Sequence, residues 1–397
     1  MAQITIPKYV KNILLGLQAR GHLAYLVGGC VRDFIMDITP QDWDICTSAL
    51  PEEVIEIFPG SKPTGLKHGT VTVIIGAKSA EVTTFRTEGD YRDHRRPDSV
   101  TFVSDLISDL GRRDFTMNAI ALSPDGMISD PYDGIMDIHN KTIRCVGNAN
   151  VRFGEDALRM FRALRFSARL GFNIDFDTLS AIESKAYLAE ELAPERIREE
   201  IEKILLTSRP ETMSAVISFG LMRNYIPGAG WKMPDFSPIA SMQKKALPRW
   251  AAFSIMLEKY GYIPSVEEFL LKLRLDTRTI RCCDAASHIL KNSIPDSRLG
   301  WKKLLNRYGV DAVSCAVMAY EAISGESCEK EFKSVLKSGE CFSLKHLAVT
   351  GDDLLNLGLR GPELGEMLSF LLDYVMEYPD NNKREILLEL AKYSEES

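Results

Sequence analysis

No apolar run in the 397-residue chain approaches the ~20 residues needed to cross a bilayer, which leaves no candidate membrane span. The first twenty residues lack the basic start and apolar middle of a secretory leader. The eight cysteines (Cys30, Cys46, Cys145, Cys282, Cys283, Cys315, Cys328, Cys341) form no CxxC pair and have no flanking histidines. That scatter argues for reduced thiols in a cytoplasmic protein and against a structural zinc centre. Also missing are the GK[ST] of a Walker loop and the G-x-G-x-x-G of a dinucleotide site. No internal repeat and no low-complexity tract occurs. With 45% hydrophobic and 26% charged residues, the composition excludes disordered, collagen-like and disulfide-scaffold classes. At roughly 150 residues per domain, the length points to two to four domains.

A net charge of −7 argues against a nucleic-acid partner only if it is spread evenly. It is not. Residues 351–397 carry eleven acids against four Lys/Arg, which accounts for the whole excess, whereas residues 141–170 carry seven Lys/Arg against two acids. A local basic stripe is what phosphate binding uses, because bulk charge averages over surfaces the ligand never touches. Taken alone, the stripe is better explained as a solvated helix face.

Hydrophobic periodicity divides the chain near residue 140. Before it, helices are expected over 8–19 and from Val31, and strands over 23–27, 44–47, 70–75 and 81–85. Helical character over 106–118 and short strands over 120–122 and 142–145 complete that part. The polar, charged segment 86–98 reads as a mobile loop. Beyond Asn150 the strand signal nearly disappears. Helices are expected over 152–170, 177–187, 194–206, 242–260, 266–273, 278–290, 301–308, 310–323, 352–359 and 364–376. Pro/Gly punctuation marks breaks at 226–238 and 294–300. The expected class is α+β, a mixed head carrying a long all-helical remainder.

Several short segments carry chemistry. GGCVRD (28–33) follows the apolar run 23–27, so a strand ends in two glycines and opens a helix. Gly28 and Gly29 let backbone N–H groups approach a phosphate at a helix N-terminus, with Arg32 one turn in. A plain tight turn would look the same. In DWD, Asp42 and Asp44 point to one face of a strand, where two carboxylates repel unless water or a cation relieves them. Glu81 opens the strand EVTTFR and supplies a third acid. Acids on neighbouring strands beside a phosphate-binding turn suit two divalent metals in phosphoryl transfer. Arg112 and Arg113 of RRDFTMNA cannot share a helix face. Either one turns into the head cleft to neutralise a triphosphate, or both form an exposed ion pair with Asp109 or Asp114. In EDALRMFRALRF (155–166), Asp156 and Arg159 are expected to share a helix face that Arg162 and Arg165 continue. An intrahelical ion pair explains that spacing. So does a carboxylate and guanidinium presented to a base edge, accepting the amino groups of C and A and repelling the carbonyls of G and U.

The order GGCVRD, DWD, EVTTFR, RRDFTMNA, DPYDG, EDALRMFRALRF resembles class II tRNA nucleotidyltransferases, the CCA-adding enzymes, and their poly(A) polymerase relatives. The resemblance is dense over residues 25–204, thins beyond 210 and returns over 351–388. It implies a polymerase-beta-like nucleotidyltransferase head with a mixed β-sheet, followed by an all-α neck, body and tail in a seahorse shape. The corresponding boundaries are 1–140, a head with catalysis; 141–208, a neck with base recognition; 209–298, a body; and 299–397, a tail that binds tRNA. It implies template-independent addition of C, C and A to tRNA 3′ ends from CTP and ATP, with pyrophosphate released and Mg2+ as cofactor.

By the same resemblance, Asp42 and Asp44 match the metal-binding catalytic carboxylates, and Glu81 the third acid. Gly28, Gly29 and Arg32 match the triphosphate turn, and Arg113 the nucleotide-contacting arginine. Asp156 and Arg159 match the base-reading pair, with Arg162 and Arg165 as further nucleotide contacts. Residues 87–97 resemble the loop associated with switching from C to A addition, and PERIREE (194–200) the motif bracing the reading helix. GLKHGT (65–70) looks like the CCA-adding version, not the basic segment of poly(A) polymerases. No His is followed by Asp, so no HD phosphohydrolase is expected. The alternatives are a poly(A) polymerase, an A-adding or CC-adding specialist, and an inactive tRNA-binding protein. The intact 88–97 loop disfavours CC-only addition, and the three acids disfavour inactivity. No membrane partner is expected, and the amphipathic C-terminal helices leave a homodimer open.

Overall fold

Apolar residues at Val10, Ile13, Leu14 and Leu17 repeat at the i, i+3, i+4, i+7 spacing of one helical face, the face that α1 (Lys8–Ala19) buries. The structure is a computed structural model that describes residues 6–89 and 100–393. It divides into two units. One runs to Ile204 and adds Glu211–Asn224; the other holds Leu205–Pro210 and the chain from Tyr225 onward.

In the first unit, seven strands among the described residues form one sheet. They are β1 (Ala24–Val27), β2 (Asp44–Thr47), β3 (Lys62–Gly65), β4 (Thr70–Ile75), β5 (Lys78–Thr84), β8 (Ala121–Leu122) and β9 (Ile128–Ser129). Between β5 and β8 a separate pair forms from β6 (Arg86–Glu88) and β7 (Val100–Phe102). The order is β3-β4-β5-β2-β1-β8-β9, with β2 and β5 parallel and the other neighbours antiparallel, so the sheet is mixed as expected. In β4 Val71 and Val73 are buried and Thr70 and Thr72 are not, the period-2 alternation of a sheet with one covered face. Register places Ala121, Val27, Asp44, Glu81 and Thr72 in one transverse row. The chain leaves that row at Gly28 and enters α2 (Gly29–Ile35).

The helices α3 (Pro51–Ile57), α4 (Leu106–Gly111) and α5 (Gly134–His139) complete the head, and α6 (Ala149–Glu155), α7 (Leu158–Leu170), α8 (Phe176–Lys185), α9 (Pro194–Leu205) and α10 (Met213–Ser218) follow. Two helical expectations are corrected here. The helix expected over 106–118 stops at Gly111. Arg113 N–H bonds the Leu110 carbonyl, Phe115 turns extended to pair with Cys145, and only a 3-10 turn (Thr116–Asn118) follows. The helix expected over 152–170 breaks at Asp156, which is extended (φ −139°, ψ 102°) and accepts the Leu158 N–H at 3.1 Å. Aspartate competes for nearby backbone donors in this way and favours caps over helix interiors. Asp156 and Arg159 therefore do not share a helix face. Residues 90–97 of the loop expected at 87–97 lie outside the described residues.

The second unit is helical. It contains α11 (Ala246–Lys259), α12 (Val266–Lys272), α13 (Thr277–Lys291) and α14 (Arg298–Ser324), then α15 (Glu329–Lys337), α16 (Gly351–Asn356), α17 (Gly361–Glu377) and α18 (Arg384–Tyr393). Phe253 touches Phe236, Trp250 and Phe269 at its centre. Gly309, at φ +79°, interrupts α14 at the break expected between 308 and 310. No helix among the described residues is long and apolar enough to cross a membrane.

Gly134 marks where α5 presses against the Thr116 turn of the head. A Cβ there would stand 2.2 Å from the Thr116 carbonyl oxygen, a backbone atom that cannot swing away. Gly134→Ala is expected to destabilise the first unit by about 1–3 kcal/mol, the usual range for overpacking, seen as a lowered melting temperature in thermal unfolding.

Candidate active site

A cleft of about 480 Å³ in the first unit collects side chains from five places in the chain. The position before α2 gives Gly28, and the first turn of α2 gives Gly29 and Arg32; β2 gives Asp44; the segment after α4 gives Arg112, Arg113, Asp114 and Asn118. Asp156 and α7 add Arg159, Arg162, Arg165, Phe166 and Arg169, and α9 adds Arg196. Of the residues singled out in the sequence, all but Asp42 and Glu81 line it.

Gly28 is where the chain needs glycine. Its φ is +75°, and a Cβ would stand 3.2 Å from Arg113 Nη1 and 3.6 Å from Asp44 Oδ2. The Arg32 guanidinium folds back to within 3.6 Å of the Cβ position of Gly29. Arg32 is 2% exposed: its Nε and Nη2 donate to Asp33 Oδ1 (2.9 and 2.6 Å), and its Nη1 to Asn118 Oδ1 (2.9 Å). Neither alternative for Arg112 and Arg113 holds alone. Both pair with the fully buried Asp109, at 2.7 and 3.2 Å, and both also line the cleft. Burial would raise the Asp109 carboxyl, but Arg113 and Arg112 hold it below its ordinary range. Arg113 Nε is buried with no hydrogen-bond partner.

On α7, Arg159, Arg162, Arg165 and Arg169 follow at three- and four-residue spacing and so form one stripe. Each is anchored. Arg159 donates to Glu155 Oε2 (2.5 Å) and to the Arg152 and Arg112 carbonyls (both 3.0 Å). Arg162 donates through Nε and Nη2 to Asp114 Oδ2 (2.8 and 2.5 Å), and Arg165 through Nε to Glu200 Oε2 (2.5 Å). Burial pulls the Arg165 guanidinium down despite Glu200. Asp156 pairs with Arg196 Nη2 at 2.9 Å. Sequence reasoning named Asp109 as a partner of Arg112 and Arg113 but passed over Asn118 and Glu200 as anchors. It also passed over Arg196, whose one visible signal was its place in the 194–200 segment.

Asp44 and Glu81 stand opposite one another on parallel strands, and Asp42 precedes the same strand. Burial raises the Asp44 carboxyl above its ordinary range, Glu81 and Asp42 add to the rise, and Arg113 opposes it. This is negative charge short of a counter-ion, so the acids fit a divalent cation. Among the described residues no three such side chains close around a single point.

Asp114 is buried, which alone would raise its carboxyl, but Arg162, the Asn118 amide and Arg159 bring it down to about 2. A depressed carboxylate contributes stability above its unfolded pKa of about 3.9 and loses it as pH falls through the folded value. Asp114→Asn is therefore expected to destabilise the protein by about 2 kcal/mol at pH 5–7. The gap to wild type should shrink as the pH falls from about 4 towards 2 in denaturant titrations, and a pH-independent gap would contradict the ion pair.

Residues 24–144 match the family described as the Poly A polymerase head domain, and residues 171–231 the one described as the probable RNA and SrmB-binding site of polymerase A. The chain is 37% identical over 388 residues to the CCA-adding enzyme of Geobacillus sp. (strain WCH70), covering 94% of each. It is 38% identical over 397 residues to that of Anoxybacillus flavithermus (strain DSM 21510 / WK1), covering 96% of this chain and 95% of the relative. The crystal structure of the Bacillus stearothermophilus CCA-adding enzyme in complex with CTP superposes with a TM-score of 0.83 at 32% identity, over 99% of this chain and 98% of that one. With a nucleotidyltransferase head and full-length similarity of this order, the chain belongs to the CCA-adding enzyme family.

Proposed function

We propose that this protein adds C, C and A in turn to the 3′ end of tRNA, from CTP and ATP, without a nucleic-acid template and with release of pyrophosphate. The observation that carries this reading is the shared cleft: Asp44, at the end of its strand, faces guanidinium groups from α2, the 112–113 segment and α7 across one cavity. In the reaction the tRNA terminal hydroxyl attacks the α-phosphate of the bound nucleotide. Gly28 and Gly29 bring backbone N–H groups to the triphosphate, and Arg32 and Arg113 hold its charge. Asp42 and Asp44 would hold the divalent cation, Mg2+, which when bound lowers the hydroxyl's pKa and neutralises the leaving group. Glu81 orients the reacting groups or accepts the proton. A tRNA-maturing activity places the protein in the cytoplasm.

Base choice falls to Asp156 and Arg159. Both Asp156 oxygens already accept one hydrogen bond, from Leu158 N–H and from Arg196, and each keeps a lone pair for an amino group of C or A. The carbonyl that G or U places there meets a carboxylate and is repelled. Arg162 and Arg165 extend the cationic wall beside the base.

The deciding experiment incubates tRNA transcripts ending before CCA, after C and after CC with each labelled nucleotide and magnesium. C, C and A are expected in that order; A alone, or homopolymeric A, would assign the chain to a narrower specialist. Asp42→Ala and Asp44→Ala should each slow incorporation at least about a hundredfold, the scale of losing a charge-stabilising group, while tRNA still binds. Near-normal turnover would refute the carboxylate assignment. Asp156→Ala should admit UTP and GTP; since it also leaves the Leu158 N–H without its acceptor, at a cost of about 1 kcal/mol, melting temperature is measured alongside.

A further inference from the structure

The chain has four tryptophans, and they divide sharply: Trp43, Trp250 and Trp301 are at most 6% exposed, whereas Trp231 is 71% exposed. A single exposed apolar side chain ordinarily needs no explanation. This one is held in place. Its indole lies on the Tyr260 ring with centroids 4.7 Å apart and planes at 26°. The backbone behind it is tied down, Trp231 N–H donating to the Tyr260 carbonyl at 3.2 Å and Gly228 N–H to the Tyr262 carbonyl at 3.1 Å. Two glycines make that approach possible. A Cβ on Gly228 would stand 2.3 Å from the Gly261 oxygen, and one on Gly230, at φ +61°, would stand 2.1 Å from the Tyr262 ring. The 228–231 segment thus presses against the 260–262 turn while leaving one face of the indole in water.

We propose that this free face of Trp231 is a stacking platform for a base of the tRNA substrate, an inference that rests on tRNA being the substrate. Every base has a π-face, and a ring already fixed on Tyr260 loses little freedom when a base lands on it. The charges around it suit a polyanion. Lys232 follows the indole and Lys259 precedes Tyr260; both are exposed, and neither forms an ion pair among the described residues. Of the nearby acids in sequence, Asp235 is turned to its own backbone, accepting the Ser237 N–H at 2.9 Å, and Glu258 is paired with Lys291 at 2.8 Å. A protein partner would favour an apolar surround to the ring, whereas the residues directly beside the indole in the chain are Gly230 and Lys232.

Because the other three indoles are buried, acrylamide quenching of the full chain reports Trp231. A saturating tRNA transcript lacking CCA is expected to remove most of the quenchable fluorescence, less so as salt rises, with CTP alone having no such effect. Trp231→Ala should raise the KM for tRNA about tenfold, the scale of one lost stacked base, with kcat and the KM for CTP unchanged, and Trp231→Phe should retain most of the affinity. An indole equally quenchable with tRNA bound, or an unmoved KM for tRNA, overturns the platform. So does protection that grows with protein concentration in the absence of RNA, which would assign the face to contacts between copies. Failure of the wild-type chain to extend tRNA would instead sink the functional reading, so the two failures are distinguishable.

Discussion

Bringing eight guanidinium groups to one cleft costs mutual repulsion as well as hydration, and the first unit meets both costs with carboxylates paired to the arginines. Asp33 serves Arg32 and Arg169, Asp109 serves Arg112 and Arg113, and Asp114, Glu155, Asp156 and Glu200 hold Arg162, Arg159, Arg196 and Arg165. Six acids for eight arginines leave positive charge in excess even after Asp44 is counted. The excess lies where a nucleoside triphosphate brings its own negative charge. A wall balanced to neutrality would have less to offer a phosphate, and one without anchors would splay its side chains into solvent.

The opposite charge is arranged by the sheet. Because β2 and β5 run parallel with Asp44 opposite Glu81, two carboxylates are fixed as cross-strand neighbours, an arrangement that like charges disfavour unless a cation intervenes. The adjoining residue in that row is Val27, after which Gly28 turns the chain into α2. Acid row and phosphate turn are thus consecutive consequences of one register. A one-residue slip of β2 would turn Asp44 to the other face and take its carboxylate out of the cleft.

Much of this was legible in the residues where local rules suffice. The apolar spacing in 8–19 bounds α1 to the residue, and the β-branched runs 44–47 and 70–75 bound β2 and β4 in the same way. Asp156 shows where local rules misled. Helical spacing around it looked continuous, but the carboxylate takes the Leu158 N–H and ends one helix to start another. The consequence is helpful to the site, since Asp156 and Arg159, freed from one helix face, find separate partners and still meet at the same cleft. The long-range anchors were not legible, because the partnership of Asp114 with Arg162 or of Arg165 with Glu200 joins residues far apart in sequence, which periodicity cannot see. Short elements such as β3, β9 and α5 were missed for the related reason that tertiary pairing, not propensity, makes them.

Phe166 ties these observations together. The guanidinium carbons of Arg165, Arg32 and Arg162 lie 4.1, 5.3 and 5.4 Å from its ring centroid, and it meets Phe115 in a T-shaped contact at 5.8 Å. One ring therefore touches arginines from α2 and from α7 and packs against the buried Phe115. Each contact is attractive through the ring quadrupole. The acids paired with the arginines and the ring that three of them share hold these side chains in place. A triphosphate meeting this wall then needs little rearrangement of the protein, because the cost of ordering those long side chains has been met in folding.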